Sequence, residues 1–323
     1  MINTNTILIA VDSGKDATKY QFNNGVSLER GIFKTKVQQV ENMGVEMQGK
    51  TSLVELDGKT FMIGDMVSDK KLNFDLSKKS IEHKLCIYLA VSKALSKNKA
   101  DNVILAVGTP LSIYKNEKLK QEYRDYIYNN GEVNIKVNNE EVKFKIKEVT
   151  ILPESTGPIY ANINEYRNEK VTVIDIGGLN SNICQYNCLV PQIDKMLCCN
   201  MGANILKSKI GDELSQRYGI TIYREDVDQI LKDGVLYIQG KQQEDSPNTI
   251  KKLMSEHLTN ITNFCKQNEL DVLKNGKIVF SGGGSLLLKE IIQEKYSYAK
   301  IATDAQFSNV QAFYKVLSIK NEG

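Results

Sequence analysis

Two aspartates stand where a short apolar run breaks into a glycine-containing turn: Asp12 after Ile7 to Val11, and Asp175 after the run that begins at Val171. An ionised carboxylate beside a strand end is costly unless something positive or hydrogen-donating meets it. Glycine beside it leaves backbone N–H groups open to an anion. Near the other end, the strand-like Lys277 to Phe280 runs into Gly282-Gly283-Gly284 and then a helix led by Ser285. Such a junction lets a ligand approach the main chain and offers the N–H groups and dipole of a helix N-terminus. The acidic turn Pro153-Glu154-Ser155 is a fourth site, and the four stand in the order that a split phosphate clamp needs. Each also has a purely structural reading: a triple glycine makes a tight packing turn, an aspartate after a strand caps a turn, and Ser155 caps a helix. The chain has neither a G-x-x-x-x-G-K-[ST] loop nor a G-x-G-x-x-G fingerprint, so phosphates would be held another way.

The elements around these residues repeat. Both aspartates lie in the pattern strand, Asp, x, Gly, turn, strand (IAVDSGKDATKYQF and VIDIGGLNSNICQY), which is what an internal duplication leaves. Two like domains facing each other would set Asp12 and Asp175 on opposite walls of one cleft. Asn102 to Ser112 reads as a strand ending in Gly108-Thr109-Pro110, and Val149 to Ile163 as a strand, a turn and a helix entered at Pro158. Ser80 to Lys97 spaces Ile81, Leu85, Tyr88, Leu89 and Leu95 as a helix buried on one face. Helices are expected over Ile205 to Tyr218, Arg224 to Lys232 and Ile250 to Asn268, and a strand with its turn in VLYIQGKQQ. Lys34 to Asp75 reads as a small insertion of short strands and turns. Strands alternating with helices mark an α/β protein.

With 323 residues there is room for two domains. Hydrophobic residues at 41% and charged residues at 25% give a soluble globular profile. The net charge is only +3, and small clusters such as Lys70-Lys71 and Lys78-Lys79 read as solvated faces, so direct nucleic-acid binding is not expected. The N-terminus lacks a signal-peptide pattern and no run approaches the roughly eighteen apolar residues of a membrane span, so the chain reads as cytosolic. Of the six cysteines, Cys184, Cys188, Cys198 and Cys199 are close in sequence, but no C-x-x-C pair occurs and His83 and His257 are remote. They read as small buried or half-buried thiols rather than a metal site.

In their order, the motifs resemble those of the actin-like ATPase superfamily and, within it, the plasmid-segregating ParM (StbA) proteins. DSGKDATKY is similar to the first phosphate loop, PESTGPIYA to the first connecting segment, DIGGLNSNICQ to the second phosphate loop, FSGGGSLLL to the adenosine segment and TDAQFSNVQAFYKV to the second connecting segment. MGANILKSKIGDELSQRYGI followed by REDVDQIL resembles the family's second-domain helices. The resemblance covers nearly the whole chain. It implies a duplicated, ribonuclease H-like two-domain α/β fold with a nucleotide cleft between the domains. Domain I would be residues 1–163, with the insertion at about 34–75 and the C-terminal segment 305–323 packing back on it; domain II would be 164–304, with a helical insertion at about 211–268.

The same resemblance implies ATP or GTP with Mg2+ as cofactors. Gly14, Gly177 and Gly178 would line a clamp on the β- and γ-phosphates, joined by Lys15, Leu179 and Asn180, while Lys19 would neutralise nucleotide charge. Asp12 and Asp175 would hold hydrated Mg2+ through its waters, and Glu154, with Asp175 as its catalytic partner, would orient or deprotonate the attacking water. Gly282, Gly283 and Gly284 would bracket the base and α-phosphate, with Asp212 or Glu213 near the sugar or base. Where the family has a second loop close to D-x-G-G-T-T and a further Asp, this chain has Leu179, Asn180 and Asn182, and Lys15 stands where Ser is common. The implied function is a bacterial, plasmid-encoded filament protein that hydrolyses nucleotide after head-to-tail assembly and meets centromeric plasmid DNA through a ParR-like adaptor, with no membrane partner. The rival readings on the same fold are a monomeric small-molecule kinase and a non-hydrolysing scaffold.

Overall fold

The computed structural model describes residues 5–41, 44, 46–68, 78–272, 274 and 276–322; Lys70, Lys71 and the end of the expected insertion lie outside them. The chain divides into two compact units, Met1–Asn162 with Phe307–Gly323, and Ile163–Gln306.

In the first unit β1 (Thr6–Ser13), β2 (Ala17–Asn23) and β3 (Leu28–Lys34) form an antiparallel meander. There follow β4 (Val37–Val40), β5 (Ser52–Leu56), β6 (Lys59–Ile63), α1 (Ile81–Leu95), β7 (Asn102–Thr109), α2 (Leu111–Tyr114), α3 (Glu117–Tyr128), β8 (Glu132–Val137), β9 (Glu140–Pro153) and α4 (Gly157–Ala161). The second unit runs α5 (Ile163–Tyr166), β10 (Lys170–Ile176), β11 (Ser181–Asn187), β12 (Val190–Cys199), α6 (Ala203–Tyr218), α7 (Arg224–Asp233), β13 (Tyr237–Ile238), β14 (Lys241–Gln242), α8 (Ser246–Gln267), β15 (Lys277–Ser281), α9 (Gly283–Leu287), α10 (Lys289–Lys295) and β16 (Lys300–Ile301). α11 (Ser308–Glu322) belongs to the first unit again.

The sheets carry the duplication further than the two short motifs do. The first is ordered β3-β2-β1-β7-β9-β8-β5-β6-β4 and the second β12-β11-β10-β15-β16. In each, a meander's first strand lies parallel to the next strand of the sheet, β1 to β7 and β10 to β15, and that strand lies parallel to a further one. The series β3-β2-β1-β7-β9 and β12-β11-β10-β15-β16 thus match strand for strand, as the expected duplicated α/β fold requires. The insertion expected over Lys34 to Asp75 does form short strands, β4, β5 and β6, and these continue the first sheet through pairing of β5 with β8.

Period-two alternation places both faces of β1 in apolar surroundings. Ile7, Ile9 and Val11 join the cluster that contains Leu85, Tyr88 and Leu89 of α1, while Leu8 and Ala10 join Phe313 and Leu317 of α11. Asp12 continues the Leu8–Ala10 row. α1 is buried nearly all round, at eleven of its fifteen residues, and not on one face; its apolar run from Leu85 to Val91 leaves no polar stripe to put in water. VLYIQGKQQ forms a two-rung hairpin of β13 and β14 rather than one strand. Cys86, Cys184, Cys199 and Cys265 are buried and Cys198 half-buried, but Cys188 is exposed because it and Leu189 make the left-handed turn between β11 and β12. No helix among the described residues is long and apolar enough to cross a membrane.

Candidate functional site

The first unit carries one group of candidate residues. Across the β1–β2 hairpin Asp12 pairs with Lys19 and Ser13 with Thr18, and Gly14 N–H closes the turn on the Ala17 carbonyl at 3.2 Å. Asp12 is buried, with Oδ2 3.5 Å from Lys19 Nζ. Near the end of β7 Gly108 lies beside it: a Cβ there would be 2.5 Å from the Phe313 ring and 3.5 Å from Asp12 Oδ1. Only glycine lets α11 come that close to the carboxylate's corner.

Glu154 follows the last residue of β9 and is fixed by its neighbours. Its N–H donates to the Thr109 carbonyl at 3.0 Å, Ser155 N–H to Asn309 Oδ1 at 3.1 Å, and the Thr156 hydroxyl to the Pro153 carbonyl at 3.0 Å. Ser155 turns the corner at φ 71, and the residue at the N-cap of α4 is Thr156, so Ser155 is not the helix cap its position suggests. Gly157 admits Ser308 of α11, whose Oγ would be 1.9 Å from a Cβ there. The buried carboxylate of Glu154 meets Lys78 Nζ at 3.5 Å, and the same ammonium donates to the Ser13 carbonyl at 2.8 Å. Lys78 is 4% exposed, which overturns its reading as part of a solvated cluster; Lys79 does face solvent and pairs with Glu122.

Behind this group His83 Nε2 lies 2.7 Å from Tyr123 Oη. Burial first, and then the charges of Lys78 and Lys15, hold the His83 pKa well below its ordinary value. Burial, helped by the Glu154 and Asp12 carboxylates, pushes the Tyr123 hydroxyl well up. The pair is therefore neutral.

The second unit repeats the hairpin. Asp175 pairs with Asn182 and Ile176 with Ser181, and Gly177 N–H closes on the Asn180 carbonyl at 2.9 Å. Asn182 thus occupies the register position that Lys19 holds in the first unit. The turn is bound to the start of α6: Ala203 N–H donates to the Gly177 carbonyl (2.9 Å), Asn204 N–H to Gly178 (2.7 Å) and Gly202 N–H to Leu179 (3.0 Å). Helix-start N–H groups that lack intrahelical partners are satisfied in this way. Among the described residues, the amides of Gly178, Leu179 and Asn180 take part in none of the backbone bonds that hold the turn. Leu179 is buried and Asn180 Nδ2 donates to Cys198 Sγ at 3.3 Å, so what these two residues offer a ligand is main-chain N–H.

Asp175, also buried, lies against the triple glycine. A Cβ on Gly282 (φ 82) would stand 2.4 Å from Asp175 Oδ1, and one on Gly284 2.3 Å from Ile176 Cγ2, whereas one on Gly283 would meet nothing within 4 Å. Packing accounts for two of the glycines and leaves Gly283 for a ligand or for nothing. α9 spans only five residues, so its dipole is weaker than the sequence suggests, and the buried Ser281 hydroxyl has no hydrogen-bond partner among the described residues. Asp212 and Glu213 are exposed on α6.

Asp12 in the first unit and Asp175 in the second are carboxylates, the hard oxygen donors that Mg2+ prefers. Among the described residues no group of three or more His, Cys, Asp or Glu could enclose an ion. Each carboxylate by itself suits an ion that keeps most of its water shell. Lys78, Gly108, Gly202 and Asn309 are not marked as site residues by any local pattern in the sequence; each matters through a partner distant along the chain.

The family model described as the N-terminal domain of actin-like proteins matches residues 10–157. Among solved structures, an Alp12 filament is 30% identical, covering 98% of this chain and 99% of that one with a TM-score of 0.71. The archaeal actin homologue Ta0583 in complex with ADP is 17% identical, covering 97% and 99% with a TM-score of 0.76. A 15-stranded ParM filament from Clostridium botulinum is 18% identical, covering 98% and 99% with a TM-score of 0.78. These last two bear on the fold alone. Among curated proteins no significant match is found. With the sheets duplicated strand for strand and a 30% identical relative matched from end to end, this chain belongs to the actin-like protein family.

Proposed function

We propose that this actin-like protein is a ParM-type filament former that binds ATP or GTP with Mg2+, polymerises head to tail, hydrolyses the nucleotide after assembly, and so segregates plasmid DNA in the bacterial cytoplasm. The observation that carries the reading is the repeated Asp-x-Gly hairpin, closed by the same Gly-to-carbonyl bond in both units. An Alp12 filament, a ParM filament and an ADP complex among its structural relatives support it.

In this reading Gly14 and Gly177 close the two turns that line the clamp, the amides of Gly178, Leu179 and Asn180 bind the β- and γ-phosphates, Lys15 adds a contact of its own, and Lys19 neutralises the phosphates. Asp12 and Asp175 hold Mg2+ through its waters; the ion supplies charge neutralisation on the phosphates. Glu154 orients the attacking water, a task that needs one well-aimed carboxylate. The Gly282–Gly284 segment meets the base and α-phosphate, with Asp212 or Glu213 near the sugar. Head-to-tail contacts do not close on themselves, so a single chain yields a filament. If those contacts favour the nucleotide-bound form, assembly tightens binding and hydrolysis loosens the polymer by linkage. A net charge of +3 without a basic stripe suits contact with DNA through a ParR-like adaptor.

Calorimetric titration with MgATP and MgGTP tests the binding step. The wild type is expected to bind at least one of them, with Asp12→Asn and Asp175→Asn each weakened about tenfold or more, the scale of one charge-assisted contact. Failure of the wild type to bind either nucleotide contradicts the proposal.

A further inference from the structure

Lys78 has no role in the scheme above, yet it joins two parts of the scheme. It stands two residues before Ser80, the N-cap of α1, whose side chain accepts from His83 N–H at 3.3 Å. That helix is packed into the main core of the first unit, so the backbone near Lys78 is anchored. The ammonium is buried, and a buried charge persists only when paired and hydrogen-bonded. It meets the Ser13 carbonyl at 2.8 Å, in the first hairpin, and Glu154 Oε1 at 3.5 Å, at the corner after β9. Ser13 lies between Asp12 and Gly14. A displacement of the hairpin is therefore passed through one short hydrogen bond to the ammonium, and from it to the carboxylate.

We infer that Lys78 is a positioning residue for triphosphate cleavage: it sets the place of the Glu154 carboxylate relative to the first hairpin, so that the state of the hairpin governs the aim of Glu154. The inference rests on the proposed role of Glu154 and adds a component to it. Packing alone does not call for a cation here, because a methionine of similar length would fill the slot without burying a charge.

The test is a double-mutant cycle of Lys78→Met and Glu154→Gln, read by nucleotide affinity and by the rate of phosphate release in a single turnover on the full chain. Lys78→Met is expected to leave affinity within about threefold and to slow cleavage about ten- to a hundredfold, the range that misplacing a catalytic group produces. In the Glu154→Gln background the same change is expected to slow cleavage less than about threefold further, because it acts through Glu154. Equal slowing in both backgrounds, unchanged cleavage in Lys78→Met, or a loss of affinity with cleavage intact would each overturn the inference. Should Lys78→Met not fold, Lys78→Gln keeps an N–H donor without the charge and is read by the same criteria. Wild-type cleavage in Glu154→Gln itself sinks the proposed role of Glu154 and takes the inference with it, an outcome distinct from those above.

Discussion

Asp12 faces a lysine across its hairpin, whereas Asp175 faces Asn182 at the matching position. The first hairpin therefore holds its carboxylate beside a cation and the second beside an amide, and Lys19 is the charge-bearing member of the duplicated pair. Lys19→Met is expected to weaken triphosphate binding about tenfold or more, measured by competition with a fluorescent nucleotide; unchanged affinity would remove Lys19 from the site. Glu154→Gln is expected to bind nucleotide normally and to release phosphate at least about a hundredfold more slowly, the scale of losing a general base. The positions of Asp12, Glu154 and Asp175 at strand ends and corners were legible in the sequence because strand, turn and glycine are local patterns. Lys78 was not, because its carbonyl partner lies 65 residues away and its burial depends on how α1 docks. Asn180 shows the converse: its position in the loop was read correctly, but its side chain is drawn to Cys198 on a neighbouring strand.

Among the elements, the triple-glycine junction separates packing from binding. Gly284→Ala drives a Cβ into Ile176 and is expected to cost about 1–3 kcal/mol, seen as a lower urea midpoint. Gly283→Ala meets no atom within 4 Å; it is expected to leave the midpoint within about 0.5 kcal/mol while weakening nucleotide binding. Equal affinity in the Gly283→Ala variant and wild type would leave that glycine without a ligand role. α8 adds a pH dependence to the second unit. Burial, and then the charge of Lys209, brings the His257 pKa down to about 4, while the Met201 carbonyl pulls the other way. Between about 6.5 and 4 the unfolded chain binds a proton that the folded one does not, so this stability is complete above about pH 6.5 and is lost as pH falls. The loss approaches about 3 kcal/mol near pH 4. His257→Gln is expected to flatten the fall of the urea midpoint between pH 7 and 5, and an unchanged slope would show that the histidine is not its source. The helical periods of α6, α7 and α8 were readable in the sequence, whereas the joining of β4–β6 to the main sheet was not, since strand order is set by long-range pairing through β8.

For the molecule as a whole, two fourteen-residue stretches announced a duplication that the sheets then repeat over five strands each. That repetition makes the candidate residues of each unit products of one topology: a meander whose first strand carries the carboxylate near its end, beside Gly108 near the end of the parallel strand in one unit and beside Gly282 just after it in the other. The central claim is that this topology serves nucleotide-dependent assembly. It is tested most directly by high-speed sedimentation with and without MgATP and MgGTP across a range of protein concentrations, with phosphate release followed in the same tubes. Pelleting that depends on the triphosphate, with phosphate appearing after a lag, is the predicted result. Protein that stays in the supernatant with either nucleotide at every concentration would contradict the account.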